Sequence, residues 1–247
     1  MTKPRIAVIG GSSEGFSLAE RLKKCAVQFT LFLPVEVGVQ ARTPAIPYNA
    51  EFDWNVALAG FDIVICAAHP FSLAEIQQRL PKMPVLFLVR PPWIPGYMDR
   101  WIEANDSVEA AQIVQERGFK HILLTIGRAR AAPFMNFENT RVTIRKRNTL
   151  SQSDLSPKVG SVVYQPGPFT AAAEKAFFQA EHIDAIVTHN AGGTGGMPKL
   201  LAAFELGLPV VMVQRPRFDA QPQVQNVSDA LSWLNFRFGL DLPVAAS

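Results

Sequence analysis

Short apolar runs alternate with amphipathic stretches along nearly the whole chain. Runs at 5–9, 27–33, 63–67 and 85–89, and again at 122–126, 142–145, 161–164, 185–188 and 210–213, have the length and the Val, Ile, Leu and Phe content of strands. Several are apolar at every position instead of at alternate ones. That pattern belongs to strands covered on both faces, as in a parallel sheet. Between them, apolar residues at helical spacing predict helices over 17–25, 72–80, 107–117, 171–180, 198–206 and 228–236. Strand and helix in succession make βαβ units, so the expected class is α/β with doubly wound, mostly parallel sheets.

One stretch breaks the alternation. Arg90-Pro91-Pro92-Trp93-Ile94-Pro95-Gly96 can continue neither a helix nor a central strand. The pattern restarts at Ser107, which predicts an N-terminal domain over 1–98, a C-terminal domain over 99–247, and a cleft between the two lobes. A polar, serine-rich segment at 148–157 reads as a loop inside the second lobe.

Composition supports a folded chain: 48% of the 247 residues are hydrophobic and 18% are charged. A net charge of +3 is too mild to imply nucleic acid. From Lys120 to Arg147, however, seven basic residues face a single acid, Glu138, which favours an anionic partner such as a phosphate, a polycarboxylate or an RNA backbone. Cys25 and Cys66 form no CxxC pair and read as buried thiols of a reducing compartment. No segment has the ~18 apolar residues of a membrane span. The first residues run straight into a strand, without room for a signal peptide, so a cytoplasmic protein with no membrane partner is expected. There is no GxSxG, no HExxH and no Cys/His cluster of metal spacing; no metal is expected.

The candidate chemistry sits where strands end. After the first strand, Gly10-Gly11-Ser12-Ser13-Glu14-Gly15 turns into a helix with the apolar face Phe16, Leu18, Ala19 and Leu22. Without side chains at Gly10 and Gly11, backbone N–H groups can approach a pyrophosphate, and Ser12 or Ser13 can donate or cap. A plain strand-to-helix connection is the alternative, since the motif is not a clean GxGxxG. After the second strand Glu36 stands where a ribose-binding acid is found, but Arg42-Thr43 follows, and an arginine there suits a 2′-phosphate, favouring NADPH over NADH. A surface arginine on a loop is the competing reading. His69-Pro70-Phe71 follows the third strand, with His69 either at the site or capping the next helix. In the second lobe, Ile126-Gly127-Arg128 ends one strand. Thr188-His189-Asn190-Ala191-Gly192-Gly193-Thr194-Gly195-Gly196 ends another and leads into a helix with Lys199, a composition that suits an anion-binding nest. It lacks the ending of a Walker motif. His121 and His182 read as structural, and Trp93 and Trp101 as packing residues.

In this order and spacing the motifs resemble the precorrin-6A reductase family of cobalamin biosynthesis. The resemblance runs through the first glycine turn, Ala41-Arg42-Thr43, His69-Pro70-Phe71, Arg90-Pro91-Pro92-Trp93 and Asp99-Arg100-Trp101. It continues in Ile126-Gly127-Arg128 with Ala132-Pro133-Phe134, Gly167-Pro168-Phe169, the stretch from Thr188 to Lys199, Leu206-Gly207-Leu208-Pro209 and Arg215-Pro216. It implies two Rossmann-like lobes with an interlobe active-site cleft, and NADPH-dependent hydride transfer to one double bond of precorrin-6A, giving precorrin-6B. Cofactor contacts are then expected from Gly10, Gly11, Ser12, Ser13, Glu14, Arg42, Thr43, His69 and Pro70. The carboxylates of a polycarboxylate tetrapyrrole are expected on Gly127, Arg128, Asn190, Gly192, Gly193 and Lys199. His69 is the candidate catalytic residue. A conjugated imine or enamine accepts hydride at carbon once its nitrogen is protonated, so a dedicated acid is not obligatory. Ser12 stands where the family usually has threonine and His189 where it commonly has lysine, and the segment 44–60 lacks the family's glycine-rich stretch. A divergent member that binds tetrapyrrole or dinucleotide without turnover is the alternative. No nucleic-acid partner is expected, the Arg145-Lys146-Arg147 run reading as a solvated strand end. A monomer or small homo-oligomer is expected.

Overall fold

The computed structural model of the chain describes residues 3–37, 43–127, 130–146 and 157–244. The chain divides into two units: one of residues up to Pro91 together with those from Pro216 onward, the other of Pro92–Arg215.

In the first unit the strands are β1 (Ile6–Ile9), β2 (Phe29–Pro34), β3 (Ala45–Tyr48), β4 (Ile63–Cys66) and β5 (Val85–Leu88), with helices α1 (Ser13–Lys24), α2 (Trp54–Ala57) and α3 (Leu73–Arg79). In the second they are β6 (Trp101–Ala104), β7 (His121–Leu124), β8 (Arg141–Lys146), β9 (Gly160–Tyr164), β10 (Ala185–His189) and β11 (Val210–Val213), with α4 (Ser107–Glu116), α5 (Ala171–Ala180) and α6 (Met197–Leu206). Then β12 (Gln223–Val224) and α7 (Val227–Phe238) complete the first unit. Both six-stranded sheets are parallel throughout, in the orders β12-β5-β4-β1-β2-β3 and β6-β11-β10-β7-β8-β9.

Two-sided burial explains the apolar runs. Ile6 and Val8 of β1 pack with Leu18, Leu22, Leu231 and Leu234 on one face of their sheet. Ala7 and Ile9 pack with Trp54, Leu58, Leu73 and Ile76 on the other. All four β1 residues are 0% exposed, and burying each Ile or Val contributes about 1.5–3 kcal/mol. In the second unit Leu123, Ile186 and Met212 meet Phe178 of α5 and Leu200 and Ala203 of α6. Three helices begin at a side-chain cap: Asp106, Thr170 and Asn226 accept N–H bonds from the first turns of α4, α5 and α7.

Each sheet has the 3-2-1-4-5-6 order of the doubly wound nucleotide-binding fold, with the sixth places exchanged. The strand that follows β5 joins the second sheet as β6, and the strand that follows β11 joins the first as β12. The domain limits read from the sequence, 1–98 and 99–247, therefore require correction. The chain leaves the first unit at Pro91 and returns to it at Pro216. Nothing local in Gln223–Val224 says which sheet it will join. The decision lies with Ala230, Leu231 and Leu234 of α7, which fill the core beside Leu86 and Leu88.

His121 at the start of β7 is structural. It is buried, and its Nε2 lies 2.8 Å from Thr143 Oγ1. Burial, reinforced by the Arg141 charge, holds its pKa below the usual 6.5. The Cys66 thiol, also buried, is pushed up to about 12 and is not a nucleophile.

In a chain ending at Arg215, the amides of Phe87 and Val89 lose their acceptors, Pro222 O and Val224 O. Hydrogen exchange of β5 should then pass from protected to fast, and unchanged protection would contradict the exchange of sixth strands. For His121, the unfolded chain binds the proton more readily than the fold does. Stability is therefore complete above about pH 6.5 and falls as the pH drops below it. Urea denaturation at about pH 7.5 and about pH 5.5 should show this fall, and His121→Gln should reduce it.

Candidate functional site

Three segments meet at the carboxyl ends of the first sheet. The turn after β1 is held by Gly10 N–H donating to Phe32 O at 2.8 Å. Gly11 takes a φ of +124°, and a Cβ on Gly10 would lie 2.8 Å from Leu33 Cδ2. A Cβ on Gly15 would come within 3.1 Å of Ala67 O and of Gly10 Cα, so the helix approaches the strand as closely as backbone allows. Gly10 and Gly15 occupy the first and last glycine positions of the dinucleotide fingerprint, with Ser12 at the middle one. The Ser12 hydroxyl is already engaged: it donates to Ala67 O at 2.7 Å and accepts from Gly15 N–H at 3.1 Å. It thus caps α1 and ties the turn to β4. The N–H groups of Ser13 and Glu14 precede the first intrahelical bonds, at the helix end where N–H groups take anions in general.

Beside them lies Arg90, just past β5. Its Nη1 donates to Ser13 Oγ at 3.0 Å and pairs with Glu14 Oε2 at 2.5 Å, with both charged side chains largely buried. A carboxylate in the first turn suits the helix dipole but repels a phosphate, and the guanidinium offsets that repulsion. In the sequence Arg90 stands out as the start of the proline break and as part of the Arg90-Pro91-Pro92-Trp93 motif, neither of which points to Ser13 and Glu14. A cation immediately after the β5 run was the available signal.

His69 follows β4, which pairs with β1 so that Cys66 lies opposite Ile9. Its backbone borders the glycine turn: a Cβ on Gly11 would be 3.9 Å from His69 N. The ring accepts the Phe71 N–H at Nδ1 at 3.3 Å, which assigns the proton of the neutral ring to Nε2. Pro70 is buried beside it. Thr43 is buried too, and donates to Glu20 Oε1 of α1 at 3.0 Å, so its hydroxyl braces that helix. Arg42 lies outside the described residues.

In the second unit the glycine-rich loop after β10 folds around a tryptophan. Gly192 and Gly193 both adopt left-handed φ values, +68° and +74°. The Asn190 amide, 3% exposed, exchanges two hydrogen bonds with the backbone of Trp93: Trp93 N–H to Oδ1 at 2.8 Å and Nδ2 to Trp93 O at 3.0 Å. Trp93 Nε1 donates to Gly193 O at 2.9 Å, and a Cβ on Gly196 would strike the indole at 2.6 Å. Asn190 therefore positions the loop, and its side chain is not presented to a ligand. Lys199, in the first turn of α6, donates to Gly196 O at 3.2 Å and sits 5.2 Å from the centre of the Trp93 ring. A cation in a helix's first turn opposes the dipole, an arrangement that a bound anion relieves. Gly127 has a φ of +73°, and Arg128 lies outside the described residues.

Of the basic run Arg145-Lys146-Arg147, the last residue lies outside the described residues, and Arg145 is not the solvated strand end expected. Arg145 is buried, with Nη1 on Glu174 of α5 at 2.8 and 2.7 Å, and its guanidinium lies against Phe169 and Phe177. Among the described residues no His, Cys, Asp and Glu cluster of metal-binding size occurs, and no helix is long and apolar enough to cross a membrane.

Two doubly wound parallel units, the first opening on a capped glycine turn of the nucleotide-binding type, define a Rossmann-like α/β protein. The family model described as Precorrin-6x reductase CbiJ/CobK matches residues 5–235, and the chain belongs to that family. It is 33% identical over 247 residues to the precorrin-6A reductase of Mycobacterium tuberculosis (strain ATCC 25618 / H37Rv), covering 93% of this chain and 97% of the relative. It is 30% identical over 254 residues to the precorrin-6A reductase of Rhodococcus erythropolis, with 93% and 97% covered. The solved structure of CobK precorrin-6A reductase superposes with a TM-score of 0.83 at 24% identity, covering 98% of this chain and all of that one, and shares its fold.

Replacing Asn190 by Ala should leave the buried N–H and C=O of Trp93 unpaired and destabilise the second unit by about 2–4 kcal/mol. Denaturation followed by tryptophan fluorescence measures this, and a loss under about 0.5 kcal/mol would remove Asn190 as the loop's clamp.

Proposed function

We propose that the protein reduces one double bond of precorrin-6A to give precorrin-6B, with NADPH as hydride donor, in cobalamin biosynthesis. The carrying observation is the turn at residues 10–15, where Cβ atoms at Gly10 and Gly15 would crowd neighbouring atoms and Gly11 has a positive φ. Such a cradle fits a pyrophosphate, and the chain belongs to a family of reductases. When bound, the nicotinamide supplies the hydride that protein side chains cannot.

The chain's own residues bind and orient. Backbone N–H groups at Ser13 and Glu14 hold the pyrophosphate, with Gly10 and Gly11 permitting close approach and Arg90 cancelling the Glu14 charge. Ser12 and Thr43 act through α1, the one capping it and the other bracing it. Pro70 fixes the loop that carries His69. His69, with its proton on Nε2 and Nδ1 accepting the Phe71 N–H, is the candidate catalytic residue: its Nε2–H would hydrogen-bond and orient the macrocycle, whose nitrogen would take its proton from solvent. The preference for NADPH over NADH is assigned to Arg42, by bidentate pairing with a 2′-phosphate. The acetate and propionate groups of the macrocycle are taken by Lys199, Arg128, and the backbone around Gly127, Gly192 and Gly193. A protein that works on a polar macrocycle with a dinucleotide is proposed to act in the cytoplasm.

Titrating NADPH and NADH while following nicotinamide fluorescence, then adding precorrin-6A, tests the reading. NADPH binding and its oxidation on addition of substrate are expected. Binding without oxidation would favour a non-catalytic carrier, and binding of neither nucleotide would overturn the proposal. Gly11→Val should raise the KM for NADPH at least about tenfold and leave the KM for precorrin-6A nearly unchanged. An unchanged NADPH KM would remove the turn from the site.

A further inference from the structure

The Arg145–Glu174 pair has no part in the proposed dinucleotide site, and its geometry is lopsided. Arg145 side-chain exposure is 6% and that of Glu174 is 3%. Glu174 bonds Nη1 alone, at 2.8 and 2.7 Å through its two oxygens. The opposite edge of the guanidinium, Nε and Nη2, is buried and has no hydrogen-bond partner. That edge is one of the forks by which arginine grips a carboxylate with two parallel bonds. A buried charged donor with nothing to donate to is costly, and a purely structural ion pair would be expected to use the fork.

Position supports a ligand role. Arg145 pairs in register with Val163 near the carboxyl end of β8, the end at which open α/β sheets take ligands. In β7 the residue opposite its predecessor Ile144 is Leu124, so Arg145 stands level with the strand end that leads to Gly127. Glu174 lies in the first turn of α5, whose Thr170 cap leaves other first-turn N–H groups and a positive dipole end beside the guanidinium. The guanidinium lies 5.0 Å from the ring centre of Phe169 and 4.9 Å from that of Phe177. Phe169 is half-buried and belongs to the segment 165–170 between β9 and α5, where Pro166, Gly167 and Pro168 are exposed.

We infer that the Nε/Nη2 edge of Arg145, reached by movement of the largely exposed segment 165–170, is a carboxylate receptor that takes one acidic side chain of the macrocycle. Glu174 orients the fork and holds the charge in place before the ligand arrives. The assignment rests on the proposed tetrapyrrole substrate class, and within it adds a binding residue on β8.

The test uses the full chain and an octacarboxylate porphyrin as probe, followed by quenching of the probe's fluorescence, with precorrin-6A turnover and NADPH binding measured in parallel. Arg145→Met with Glu174→Met removes both charges and leaves no lone buried ion. Arg145→Lys keeps the charge and its Glu174 partner but lacks the fork. Both variants should melt cooperatively and bind NADPH like the wild type. Both should also lose at least about tenfold in porphyrin affinity and raise the KM for precorrin-6A, with kcat less affected. If wild type binds porphyrin and either folded variant binds it within about twofold of wild type, Arg145 is structural and the inference falls alone. If wild type binds neither porphyrin nor precorrin-6A, the substrate reading falls and takes the inference with it.

Discussion

A parallel sheet has to be covered on both faces, because its crossover helices return on either side and water has no access to the strands between them. In this protein that requirement consumes the faces of both sheets. Ile6 and Val8 are sealed by α1 and α7, Ala7 and Ile9 by the aromatic layer around Trp54. What remains for chemistry is the row of loops at the strand ends. The register of β1 against β4 then places the loop carrying His69 next to the glycine turn, although the two are far apart in sequence.

The two units use this shared plan differently. In the first, Ser12 satisfies its own neighbours, Gly15 N–H and Ala67 O, and so caps the helix from within the turn. Charge is balanced locally by Arg90 against Glu14. In the second, the glycine loop closes on Trp93, and the left-handed pair Gly192 and Gly193 lets Gly193 O turn back to the indole N–H. Glycine serves backbone approach in one unit and the wrapping of a side chain in the other.

The exchanged sixth strands constrain how the chain can fold. The first sheet lacks an outer neighbour for β5 until residues 223–224 have been made, long after its other strands. The second takes β6 at the outset, before its central strands exist. Each unit therefore depends on a segment from the opposite end of its own stretch of chain. Prolines stand at both crossings, Pro91-Pro92 and Pro216, where neither helix nor central strand is wanted.

The central strands were legible because burial on both faces leaves its mark on every residue, and the α/β class followed from them. Three edge strands were not. β3 carries Pro47, which an edge tolerates because one side of its backbone needs no ladder bond, β6 carries Glu103, and β12 has two residues. Half-exposed strands have no reason to be continuously apolar, so their pattern is weak. The glycine turn could be read from sequence because its logic is local: a strand, a missing Cβ, a cap and a helix within ten residues. The partners of Arg90, Asn190 and Arg145 could not. Glu14 is 76 positions from Arg90, Trp93 is 97 from Asn190, and Glu174 is 29 from Arg145. Sequence by itself determined which segments must be buried and where the backbone must bend. Tertiary structure decided which charges meet, which polar side chains are already engaged, and which sheet the last strand completes, because those outcomes depend on the packing of helices that no local pattern specifies.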